Sequence, residues 1–112
     1  MKKEFAPYEP SLALKELGFD EPNYFLKWYD SKGDIREGLG LGEVKAPLYQ
    51  QAFRWFREKY GYTQYVREVK KDMYRFCIEN FDEKSYNSEI YNSYEEAELA
   101  CLIKLIEIVK NK

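Results

Sequence analysis

Twenty of the 112 residues are aromatic and none is histidine. Each aromatic ring buries about 150–250 Å², so a few short elements can assemble a dense core. The missing histidine removes the usual proton shuttle and the commonest metal ligand. A chain of this length falls in the size range of one domain. Its 45% hydrophobic and 34% charged content is that of a globular protein and argues against global disorder. The longest apolar run, Leu99-Ala100-Cys101-Leu102-Ile103, is far short of a membrane span. Met1-Lys2-Lys3-Glu4-Phe5 is followed by no apolar stretch of the secretory kind. A cytoplasmic protein with no membrane contact is expected.

Turn and cap residues divide the chain into short elements. Pro7 and Pro10 suit the start of a helix near residues 8–17, and Gly18 suits its left-handed C-terminal cap. Tyr24 to Tyr29 reads as an aromatic strand, Asp30 to Asp34 as a turn, and Ile35-Arg36-Glu37 as the weaker second strand of a hairpin. Gly38-Leu39-Gly40-Leu41-Gly42 lacks the spacing of a phosphate loop and reads as a connector. A helix over 47–60 starts at Pro47 and ends at Gly61, with Leu48, Tyr49, Ala52, Phe53, Phe56 and Tyr60 on one face. Tyr62 to Val69 and Met73 to Phe81 read as a second hairpin closed by Lys70-Lys71-Asp72. Alternation in its second strand places Tyr74, Phe76 and Ile78 on one side and Met73, Arg75, Cys77 and Glu79 on the other. One buried sheet face is therefore expected. Asp82 to Asn92 reads as a polar connector. Ser93-Tyr94-Glu95-Glu96 has the spacing of a capping box, opening a helix over 94–110 with a broad apolar face. The predicted architecture is a single small α+β domain, residues 1–112, in the order α-β-β-α-β-β-α. Its hairpins join one antiparallel sheet, with the helices packed on one face.

Charge is unevenly distributed. From Val44 to Arg75 eight basic residues face three acids, whereas both flanking segments are acidic and the net charge is −2. A basic face on an acidic body suits an anionic partner or a second copy of the chain. Acid–base catalysis would need a shifted carboxylate, lysine, cysteine or tyrosine. Asp30 and Asp34 form the closest acidic pair outside the acid-rich tail, in a solvated turn where shifted pKa values are not expected. Cys77 has no histidine base, only Arg75 on its strand face. Cys77 and Cys101 lie in apolar periodic segments and read as a reduced, buried pair, with a disulfide as the alternative. Two cysteines without histidine do not make an ordinary zinc site. No enzyme, metal or cofactor is expected.

The blocks Leu14 to Pro22, Ala46 to Gly61 and Tyr94 to Val109 resemble small proteins encoded by phages and prophages of gut bacteria. The resemblance covers the helices and most of the chain. It implies an accessory role in bacterial cytoplasm and carries over no catalytic residue. Tyr, Trp and Arg carry interface energy, and the outer face of the 47–60 helix offers Gln50, Arg54, Trp55 and Arg57. These four form the expected interaction face, for a protein partner or for self-association. Nucleic-acid binding by the basic, aromatic-rich segment 44–75 is the alternative.

Overall fold

A computed structural model describes residues 5–20, 27–38 and 44–112. Three helices and six strands follow in the order α1 (Tyr8–Glu16), β1 (Lys27–Tyr29), β2 (Ile35–Glu37), β3 (Val44–Lys45), α2 (Tyr49–Tyr60), β4 (Thr63–Lys70), β5 (Met73–Asn80), β6 (Glu83–Asn87) and α3 (Tyr94–Lys110). The chain is α+β with antiparallel pairing, as expected. It divides into two compact units, Met1–Gln51 and Ala52–Lys112, and α2 begins in the first and ends in the second.

In the first unit, Pro7 holds the extended conformation before α1, and Gly18 ends the helix with φ +92°. The Gly18 and Phe19 amides donate to the carbonyls of Lys15 and Leu14 at 3.0 and 2.9 Å. That pair of bonds is a Schellman cap, which needs a residue free of a Cβ at its left-handed position. Strand β1 lies between β2 and β3, with Tyr29 opposite both Ile35 and Val44. Phe5, Tyr29, Val44 and Ala46 are buried together, with Tyr8, Leu12, Ile35 and Leu48 packed against them. The Tyr29 hydroxyl donates to the Ala6 carbonyl at 2.6 Å, and Ser11 Oγ donates to the same oxygen at 3.1 Å. The N-terminal segment is thereby tied to the sheet. The expected strand residues Tyr24 to Leu26, and the connector from Leu39 to Gly42, lie outside the described residues.

In the second unit, β5 is the central strand of β4-β5-β6. Asp72, at the β4–β5 turn, has φ +60°, a region that Asp tolerates better than most residues. The Ser93 side chain accepts from the Glu96 amide at 3.1 Å and caps α3. Helix α3 packs on β5 and β4. It buries Ala97, Cys101, Leu102, Leu105, Ile106 and Val109. At the far end of the helix, Lys112 Nζ and the Tyr62 hydroxyl both donate to Glu83 Oε2, at 2.8 and 2.7 Å.

Three expectations are corrected. The hairpins do not join into one sheet: each gains a third strand and forms a three-stranded sheet of its own. The polar segment 82–92 is not only a connector, because Glu83–Asn87 pairs with β5. All five residues of β6 are exposed, so the strand carries no apolar alternation to reveal it. On β5 the face opposite Phe76 and Ile78 is not exposed throughout, because Cys77 on it is buried as well.

Candidate functional site

The side chains of β5 alternate between two surroundings. On one side the Tyr74 ring meets Tyr94 of α3 edge-on at 6.2 Å, and Lys104 Nζ of α3 lies 4.6 Å over the ring of Tyr86. Tyr86 is the cross-strand partner of Ile78. The even-numbered side of β5 thus faces the helix. Met73, Arg75, Cys77 and Glu79 point the other way. Cross-strand register puts Thr63, Tyr65 and Arg67 of β4 and Asn87 of β6 on that same side. Thr63, Tyr65, Arg67, Met73, Glu79 and Asn87 are all exposed, so this face is open.

Two adjacent rungs of this face are built from unlike parts. In the first, Tyr65 pairs with Cys77 and Cys77 with Asn87, so one residue from each strand is aligned. Cys77 Sγ donates to Asn87 Oδ1 at 2.8 Å. Cys77 is 3% exposed, while Tyr65, its register partner on β4, is 42% exposed. The neighbouring Cys77 thiol raises the Tyr65 phenol above its ordinary value, so the ring is neutral at physiological pH. This rung is an exposed aromatic ring beside a buried thiol.

In the second rung, Arg67 stands directly opposite Arg75. Paired residues in antiparallel strands have Cα atoms about 5 Å apart, and like charges so placed cost roughly 0.2–1 kcal/mol. Among the described residues neither guanidinium joins an ion pair. Arg75 Nε is enclosed and has no hydrogen-bond partner. A buried donor left unpaired costs about 1–3 kcal/mol. An anion seated beside the two arginines would offset the first of these costs. A bulge sets this register: Lys70 pairs with Met73 at the turn, which alone would bring Arg67 opposite Phe76, and the shift between Glu68 and Lys70 brings it opposite Arg75 instead. The turn residues alone therefore do not announce the pair.

Position by position, the expected α2 face separates. Gln50 and Arg57 are exposed and Arg54 is half-buried. Trp55 is 4% exposed. Its ring meets Phe56 and Tyr60 edge-on, at 5.1 and 5.4 Å between centroids, and Lys59 Nζ lies 5.1 Å from its centroid. The indole is therefore buried and not displayed on an outer face.

Asp30, Cys77 and Cys101 have distinct surroundings. Asp30 Oδ1 accepts from the amides of Lys32 and Asp34, and Oδ2 accepts from Arg36 Nε at 2.8 Å. The bond from Arg36, followed by those backbone donors, holds this carboxyl below its ordinary value. That is a shift the solvated-turn reading did not anticipate, and it favours a fixed carboxylate over a proton carrier. Cys101 is free and buried, and burial pushes its thiol far up. Cys77 is also a free, buried thiol. Among the described residues no three His, Cys, Asp or Glu side chains come together as a metal site, and no helix is long and apolar enough to cross a membrane. No protein-family model, curated protein or solved structure matches this chain.

Proposed function

We propose that the chain is a small non-catalytic accessory protein that binds a macromolecular partner through the open face of β4-β5-β6. The observation that carries this reading is the Arg67–Arg75 pair, two unneutralised guanidiniums held in register beside an exposed tyrosine. Tyr, Arg and Met are enriched where interfaces concentrate their energy, and Tyr65, Arg67, Met73 and Arg75 share this one face. The partner carries negative charge where it meets the arginines. In this reading the binding surface moves from the outer side of α2 to the sheet.

Retention on immobilised heparin, a polyanion of no particular sequence, tests the surface. The Arg67→Gln/Arg75→Gln variant should elute at clearly lower salt than the wild-type chain, whereas Arg54→Gln/Arg57→Gln should elute close to it. Equal elution of the sheet variant and wild type would refute the assignment. A second reading, a purely protein partner, rests on one further feature. Phe81, at the β5–β6 turn, is 106% exposed, and a ring so presented can anchor in a pocket of another protein or of a second copy of the chain.

A further inference from the structure

We infer that the occupant of the open sheet face is a single-stranded nucleic acid, with a phosphate between Arg67 and Arg75 and the adjoining base stacked on Tyr65. The inference rests on the open face being the binding surface, and it adds what that surface takes. A carboxylate-bearing peptide would satisfy the two guanidiniums equally well, but it has no use for the neighbouring rung. A nucleotide uses both. Tyr65 and Arg67 are two residues apart on one side of β4, so their Cα atoms lie about 6.7 Å apart. That is the reach of one nucleotide from its phosphate to its base.

The exposure of Tyr65 matters to this choice. The ring is 42% exposed while its register partner Cys77 is 3% exposed, so the aromatic side chain is the accessible part of this rung. Stacking on an aromatic ring accepts any base. The arginines likewise contact phosphate, which carries no sequence information. Recognition is therefore tolerant of sequence, and it requires an unstacked base, which a duplex does not offer.

Polarity on the face is consistent with one direction of approach. Arg67 and Arg75 lie toward the β4–β5 turn, where Lys70 and Lys71 are exposed. Glu79 lies at the opposite end, across from Thr63. A phosphate chain enters at the arginine end, with Tyr65 next along the strand.

The test is fluorescence anisotropy of the full chain with a labelled oligothymidylate of about 12 nucleotides, within the site sizes of single-strand binders. The wild-type chain should bind, and Tyr65→Leu, which keeps an apolar side chain at that position, should weaken binding about tenfold. In Arg67→Gln/Arg75→Gln the slope of log K against log salt should become shallower by about 0.7 to 1.4, the loss of one or two phosphate contacts. If the double variant fails to fold, judged by its circular dichroism melt, Arg67→Gln alone carries the test, because Arg67 is exposed. Duplex DNA of the same length binding as tightly as the single strand would overturn the stacking assignment. Polyglutamate displacing the chain from heparin in an Arg67- and Arg75-dependent way, with no oligothymidylate binding, would overturn the nucleic acid and leave the surface standing. Insensitivity of every polyanion to the arginine variants would overturn both.

Discussion

If Arg67 and Arg75 are held together for a ligand, the free protein is less stable than it needs to be. Arg67→Glu makes this measurable, because it replaces a like-charge pair with an opposite-charge pair at the same register. Two unit charges roughly 6 Å apart interact by about 0.7 kcal/mol in a water-like dielectric, within the range of about 0.2–1 kcal/mol for cross-strand pairs. Reversing one sign removes a repulsion and adds an attraction, so the gain is about 0.5–2 kcal/mol. A change of 1 kcal/mol moves the melting temperature of a small domain by about 4–8 °C. Arg67→Glu should therefore melt several degrees above wild type at low salt, and Arg67→Gln should show about half that rise. Both gains should shrink as salt approaches 1 M, where the Debye length falls to about 3 Å. Thermal melts by circular dichroism at two salt concentrations are sufficient. A lower melting temperature for Arg67→Glu, or a rise unaffected by salt, would refute the claim that the two guanidiniums face each other without a neutralising partner. The more stable variant should also be the one that no longer binds a polyanion, a stability–function trade-off localised at one residue.

Two further outcomes test the frame around the site. Ile106→Ala should cost about 2–5 kcal/mol in urea unfolding, because Ile106 is 6% exposed on the face of α3 where Leu102 and Leu105 are fully buried; a cost below about 1 kcal/mol would mean that this face is not packed within the chain. Glu98 is raised to about 6 by burial and then by Glu95, so the folded chain holds this proton more tightly than the unfolded chain does. Its contribution is favourable below about 4.3, the ordinary glutamate value, and is lost as pH rises through about 6. Glu98→Gln should therefore raise the melting temperature at pH values above 6 and leave it nearly unchanged near pH 4. An equal effect at both would show that Glu98 is ionised in the folded chain over the whole range.

Features governed by near neighbours in the chain were legible in the residues. Gly18, Ser93 and the Lys70-Lys71-Asp72 turn act through bonds to groups within about five positions. Their chemistry is written where they stand: freedom at positive φ, a hydroxyl three residues before an amide, a short polar turn between apolar strands. The three helices and both hairpins followed from such signals. The Arg67–Arg75 pair did not, because a bulge between Glu68 and Lys70 shifts the register that the turn alone would set.

What depends on distant segments was not legible. Val44–Lys45 is too short for any period, and Glu83–Asn87 is polar throughout, so neither announces a strand; each is one because the backbone of β1 or β5 offers it hydrogen bonds. Trp55 and Tyr65 show the same limit for side chains. Both are large aromatics within two positions of an arginine in the sequence, yet one is 4% exposed and the other, opposite a thiol twelve positions further on, is 42% exposed. Hydrophobicity states what burying a ring is worth, but not which ring finds a cover. That is settled by the surfaces that folding brings against it. For this chain it moves the candidate site from a helix to a sheet.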